Sequence, residues 1–296
     1  MKLFTFKKDG HDALGIYTDA GHIDMETTLE NMSNHAIFKN VMDVIRGGEQ
    51  ARIALQSYVN SALESEKAVF LNEDEIEWGP SVTHPRKILC VGLNYRKHAD
   101  ETKASYPEVP ILFNKFDNAL TGHKQKVVIP KETERLDYEV ELAIIIGKRA
   151  KYVDKEEALD YVLGYSTAND LSARDLQKRT PQWLLGKTCD GFNPLGPYLV
   201  TKDEIHNPDQ LTLKTYVNSE LRQNSNTEDM IFDCAHIVSY ISQYMTLEPG
   251  DVILTGTPEG VVIGMPKEKR VYLQAGDEVT VEVEKLGKLT NYFVSC

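Results

Sequence analysis

The run Leu136-Asp-Tyr-Glu-Val-Glu-Leu-Ala-Ile-Ile-Ile-Gly147 decides how the chain folds. From Val140 to Ile146 every residue but Glu141 is apolar. A strand wet on one face alternates polar and apolar, whereas a nearly unbroken apolar run belongs to a strand covered on both faces. The chain around it must therefore supply a layer on each side. Glu139 and Glu141 open this strand two residues apart, so both carboxylates point to one face, roughly 7 Å apart at Cβ. Like charges on a half-buried face repel, and each resists desolvation. A bound cation relieves both problems; a strand end emerging into water avoids them. The spacing alone leaves both open.

Outward from this strand the chain reads as β-rich. Ile88 to Val91 is a short strand ending at Gly92, and Asn218-Ser219 is a turn pair between alternating segments. Val279, Val281 and Val283 alternate with Thr280, Glu282 and Glu284, one face buried and one wet. Helices are few. Ala51, Leu55, Tyr58, Val59, Ala62 and Leu63 share one helical face, and a second stripe predicts a helix over Asp229–Met245 capped by Thr227. A short helix is expected from Pro181, after Thr180. Acids, Gly and two prolines around 72–85 punctuate the chain. The expected architecture is a mixed α/β, β-rich fold: a small N-terminal α+β module at 1–80 and a catalytic domain at 81–296.

The 296 residues carry 33 basic and 45 acidic side chains, a formal charge of −12. With no basic run, binding to nucleic acid or to an anionic membrane is not expected. No apolar run approaches the ~18 residues of a membrane span. The start, MKLFTFKKDG, lacks the apolar core of a secretory signal. Cys90, Cys189, Cys234 and Cys296 lie far apart, so neither a zinc site nor a disulfide framework is expected. Reduced thiols and a cytoplasmic location are the plain expectation.

A third acid, Asp170 in Leu163-Gly-Tyr-Ser-Thr-Ala-Asn-Asp170, strengthens the cation reading of Glu139 and Glu141. Three carboxylates without Cys or His form an all-oxygen site suited to Mg²⁺ or Mn²⁺, with Ca²⁺ an alternative occupant. Three protein ligands on an octahedral ion leave about three positions for water or substrate. Asp170 can equally cap a helical turn over 171–177. His98 and Glu101 stand at i, i+3 on one helical face, where a carboxylate holds an imidazole's tautomer and raises its basicity. A solvated surface pair would show the same spacing. Lys187 among glycines can neutralise a substrate carboxylate or enolate, and the turn Thr255-Gly-Thr-Pro-Glu-Gly260 brings the Thr257 hydroxyl and backbone N–H groups near a ligand. His35 and the six remaining histidines show no such pairing, and Cys189 has no partner that would make it a nucleophile.

These motifs, in order, resemble the fumarylacetoacetate hydrolase family. They are G-x-N-Y-x-x-H-x-x-E at Gly92 to Glu101, Phe113 to Lys115, D-Y-E-x-E-L at Asp137 to Leu142, N-D-x-x-A-R-D-x-Q at Asn169 to Gln177, Gly186-Lys187, and T-G-T-P-x-G at Thr255 to Gly260. The resemblance, to the longer bacterial members with an N-terminal module, implies a β-roll of packed mixed sheets and a homodimer. It also implies Mg²⁺ or Mn²⁺ on Glu139, Glu141 and Asp170, and a His98–Glu101 acid–base pair on a lid helix. Lys187 would act at the reacting centre, and Lys115, Arg174, Gln177 and Thr257 would contact substrate. The chain departs from many relatives at Cys189-Asp190-Gly191, which makes the wall near Lys187 smaller.

The expected activity is divalent-metal-dependent hydrolysis of a C–C bond in 2,4-diketo acids, giving a 2-keto acid and a carboxylic acid. Decarboxylation of oxaloacetate or another β-keto acid, and keto–enol isomerisation, are alternatives at the same site. A reading from another class is a non-catalytic binding protein on this fold. Its expected signature is a lost ligand or dyad residue, and none is lost.

Overall fold

The computed structural model describes residues 1–32 and 38–296, so His35 lies outside the described residues. The strand Val140–Ile146 is buried at every position. Leu142, Ile144 and Ile146 join one core with Leu213, Val281, Val283 and Phe293. Ala143 and Ile145 join another with Val44, Ile45, Leu55 and Val59 of the helix Val41–Glu64. This two-sided covering is why the run carries no alternation.

The large mixed sheet has the order Phe70–Leu71, Gly21–Asp24, His11–Thr18, Lys2–Lys8, Asn193–Thr201, Val162–Asn169, Val140–Ile146, Val252–Leu254, Ile88–Gly92, Ile111–Lys115. A second sheet, in the order Glu220–Asn226, Thr212–Val217, Glu278–Val283, Gly287–Ser295, Lys126–Ile129, packs across its central strands. Together they form the expected β-rich mixed α/β roll. The N-terminal strands continue the large sheet, with Lys2 opposite Val200 and Leu3 opposite Leu199. Asn218 and Ser219 both take left-handed φ, 49° and 68°, which gives the hairpin the twist its strands need. Among the described residues no helix is long and apolar enough to cross a membrane, and all four cysteines are free.

Two helix starts differ from expectation. The helix over 234–244 begins at Cys234, capped by Asp233, whose Oδ1 accepts from His236 N at 2.7 Å. The segment before it is a 3₁₀ turn over Thr227–Asp229 followed by a bend, not α-helix, because Asn94 takes its N–H groups: Ile231 N donates to the Asn94 carbonyl at 2.7 Å and Phe232 N to Asn94 Oδ1 at 2.8 Å. Met230 and Ile231 thus reach the core without helical periodicity. Near Pro181 the Thr180 hydroxyl instead donates to the Gln182 carbonyl, and the helical turn is Leu184–Lys187.

The sheet brings distant acids together by register. Val140 pairs with Asn169 and Ala143 with Leu254, both antiparallel, while Leu254 pairs in parallel with Cys90. The N-terminal end of the first strand therefore meets the C-terminal ends of three others. Glu139, Asp170, Gly256 and Gly92 collect at that edge.

Candidate active site

Glu139, Glu141 and Asp170 are all buried, and each offers an oxygen within 4.8 Å of the others'. Among the described residues no other group of three or more acids, histidines or cysteines is close enough to share an ion. Backbone bonds set their places. Asp170 N donates to the Glu139 carbonyl at 2.9 Å, and Glu139 N to Asn169 Oδ1 at 3.0 Å. Gly256 N donates to Glu141 Oε2 at 2.6 Å from a φ of 101°, which favours glycine.

Cationic side chains answer most of this charge. Lys187 Nζ bridges Glu139 Oε2 and Asp170 Oδ2, each at 2.7 Å, and lies 5.0 Å over the Phe113 ring. Lys115 Nζ donates to the other Asp170 oxygen. The Arg174 guanidinium pairs with Asp137 Oδ2 at 2.8 Å and Glu139 Oε1 at 2.7 Å, and donates to Gln177 Oε1 at 3.1 Å. Burial would raise the Glu139 carboxyl, but Lys187 and Arg174 outweigh it and hold it down at about 2. Burial would lower Lys187, yet Asp170 and Glu139 keep it well above its ordinary value, so it acts as a cation and not as a base. Glu141 is the exception. Among the described residues it has no ion-pair partner, and burial, then Asp170 and Glu139, push it well above the usual carboxylate range.

That imbalance tests whether an ion fits. Four buried carboxylates, counting Asp137, face three cationic side chains, and the uncompensated one points into an all-oxygen cluster. A hard dication suits this donor set, and Mg²⁺ or Mn²⁺ would find carboxylate oxygens only. Arg174 does not close the cluster, because Asp137 anchors it through Nε and it reaches only Glu139.

Across the cleft lies the helix Arg96–Thr102. His98 Nδ1 is 2.8 Å from Glu101 Oε1, and Glu101 Oε2 accepts from Gly260 N at 3.0 Å. With Nδ1–H given to Glu101, Nε2 keeps its lone pair for chemistry. His98, Glu139, Glu141, Arg174, Gln177, Lys187 and Thr257 all line one cavity of about 240 Å³, with Phe113 and Trp183 as an aromatic wall. Lys115 stands behind Asp170. Thr257 Oγ1 accepts from Gln223 Nε2 at 3.0 Å, and Gln223 Oε1 also accepts from Val140 N at 3.0 Å.

Sequence reasoning assigned no role to Asp137, Asn94 or Gln223. Asp137 takes Val262 N at 2.9 Å and Ile263 N at 3.0 Å besides Arg174, and so ties the loop near Glu101 to the acid cluster. Asp137 stands within the D-Y-E-x-E-L block and Asn94 within the G-x-N-Y block; Gln223 carries no local signal.

Buried, oppositely charged groups converging on a cleft at a sheet edge mark a functional site. Residues 87–294 match the family described as fumarylacetoacetate (FAA) hydrolase C-terminal, and the chain belongs to that family of enzymes. It is 43% identical over 258 residues to "Oxaloacetate tautomerase FAHD2B, mitochondrial" of Bos taurus, covering 86% of this chain and 80% of that one. Among solved structures, the fumarylacetoacetate hydrolase of Exiguobacterium antarcticum is 36% identical with a TM-score of 0.84, both chains covered completely. The maleylpyruvate hydrolase of Sphingobium sp. SYK-6, in complex with manganese (II) ion and pyruvate, is 28% identical with a TM-score of 0.80, covering 100% of this chain and 99% of that one.

Proposed function

We propose that the chain interconverts the keto and enol forms of a 2-keto acid of the oxaloacetate class. A divalent cation on Glu139, Glu141 and Asp170 would serve the reaction. The observation that carries this reading is the 43% identity, over 86% of the chain, with a protein called oxaloacetate tautomerase. A cation held by three carboxylates would supply Lewis acidity toward the substrate's 2-keto group and carboxylate.

The remaining work falls to side chains of this chain. His98 Nε2 takes a proton from C3, the C3–H electron pair becomes the C2=C3 bond, and the charge moves to O2. The imidazolium returns the proton to O2, completing the enol. Glu101 holds the imidazole in the tautomer that leaves Nε2 free and stabilises its charged form. Lys187, held as a cation, offsets the negative charge that grows on the substrate.

C–C hydrolysis is the second reading, and it is favoured by the likeness to a maleylpyruvate hydrolase along the whole chain. The same imidazole would then take a proton from water. The test is oxaloacetate with Mg²⁺ or Mn²⁺ in D₂O, followed by NMR. Tautomerisation predicts faster C3 hydrogen exchange and enol decay with no carbon lost. Pyruvate and CO₂ in equal amounts would make it a decarboxylase, and cleavage of acylpyruvates without exchange on oxaloacetate a hydrolase.

A further inference from the structure

Three cationic side chains line the cavity besides the His98 imidazole: Arg174, Lys178 and Lys187. Two are committed. Arg174 is bonded to Asp137 and Glu139, and Lys187 to Glu139 and Asp170. Lys178 differs. It ends the short helix Arg174–Gln177, where its N–H donates to the Arg174 carbonyl at 3.2 Å. Among the described residues no carboxylate lies within ion-pair distance of its ammonium. The acid nearest in sequence, Asp175, is engaged elsewhere, by the Thr133 hydroxyl at 2.6 Å and Glu134 N at 2.9 Å.

We propose that Lys178 receives the second carboxylate of a dicarboxylic substrate, so that the site selects 2-keto diacids over monoacids of the same shape. The inference rests on the oxaloacetate-class reading above and extends it to one residue. Its physical basis is elimination. A keto acid whose first carboxylate faces a cation that Glu139, Glu141 and Asp170 would hold projects its other end away from them. Lys178 is the one cation on that cavity's wall with no acid already bonded. The charges that bear on it most are positive as well. Partial burial, then Arg174, Arg270 and Arg135, lower the Lys178 ammonium, as expected where cations outnumber acids.

The test compares oxaloacetate with 2-oxobutanoate, which carries a methyl group where oxaloacetate has its second carboxylate. Calorimetric affinities on the Mn²⁺-loaded protein are measured for the wild type, Lys178→Ala and Lys178→Arg. Because Lys178 is exposed, the effect should be about fivefold, the upper range of solvated ion pairs. Lys178→Ala should bind oxaloacetate about fivefold more weakly and 2-oxobutanoate unchanged, while Lys178→Arg keeps the preference. In the exchange assay the same loss should fall on KM, with kcat little altered. Equal losses for both acids, no loss for either, or no binding of either by the wild type would overturn the proposal. The two readings fail separately. A Lys178-dependent preference without C3 exchange removes the tautomerase and leaves this assignment. Exchange from oxaloacetate that is indifferent to Lys178→Ala does the reverse.

Discussion

Glu141→Gln separates the charge of this side chain from its shape. In the ion-free protein the three cations Lys115, Arg174 and Lys187 balance Asp137, Glu139 and Asp170, so Glu141 is the surplus acid. Burial and its two acidic neighbours raise it well above its ordinary 4.5, which favours its neutral form. A group with a raised folded pKa costs stability as pH climbs above 4.5 toward the folded value. Glutamine has the same outline, and its carbonyl can still accept from Gly256 N. The ion-free variant should therefore match the wild type near pH 5 and exceed it as pH rises. A dication requires the ionised carboxylate, so its binding expels a proton and tightens with pH. At a hundred times its Kd, Mn²⁺ should stabilise the wild type by about 2.7 kcal/mol. For a chain of 296 residues that corresponds to roughly 4 °C in melting temperature. The assay is thermal unfolding in chelator and in Mn²⁺, at pH 6 and pH 8. Glu141→Gln should lose the Mn²⁺ shift and keep its fold. A variant that still gains the full shift, or collapses in chelator, would refute this charge balance.

Further expectations concern the dyad, a buried histidine and the sheet. His98→Ala should lower kcat by about 10²–10⁴-fold, with Mn²⁺ affinity by calorimetry unchanged; Glu101→Gln should cost less, since the amide oxygen can still accept from the ring. His123 is lowered to about 4 by burial, then Lys124 and His22, and its Nδ1 accepts from Thr290 N at 3.0 Å. The unfolded imidazole protonates near 6.5 and the folded one only near 4. Its contribution is therefore complete above pH 6.5 and is lost as pH falls to 4, by up to ~3 kcal/mol. Denaturant titrations should show that slope, and His123→Asn should flatten it. Gly164→Ala would press a methyl onto the Val200 carbonyl of the adjoining strand. A loss of about 1–3 kcal/mol in denaturant titration is expected, and an unchanged midpoint would contradict the packing.

The parts of this molecule legible in sequence were those whose physics is local. An apolar run with no alternation announced the two-sided strand Val140–Ile146, and the Glu139/Glu141 spacing announced a shared face. The i, i+3 spacing of His98 and Glu101 foretold their bond. What escaped depends on partners far along the chain. The stripe over 229–245 looks helical from Met230, but Asn94, 138 residues before Phe232, holds 230–232 out of the helix. The pairing of Lys2 with Val200, and the Gln223 amide that links Val140 to Thr257, likewise have no local cue. Arg174 could be read as facing the substrate, yet its position between Asp137 and Glu139 depends on a register that spacing does not report.

The central claim is that Glu139, Glu141 and Asp170 together hold one hard dication beside His98. Anomalous diffraction from crystals soaked in Mn²⁺ tests it most directly. The account predicts a single strong peak at bonding distance from one oxygen of each of the three carboxylates. A peak elsewhere, or an acid cluster still bridged only by Lys187 at saturating Mn²⁺, would contradict it.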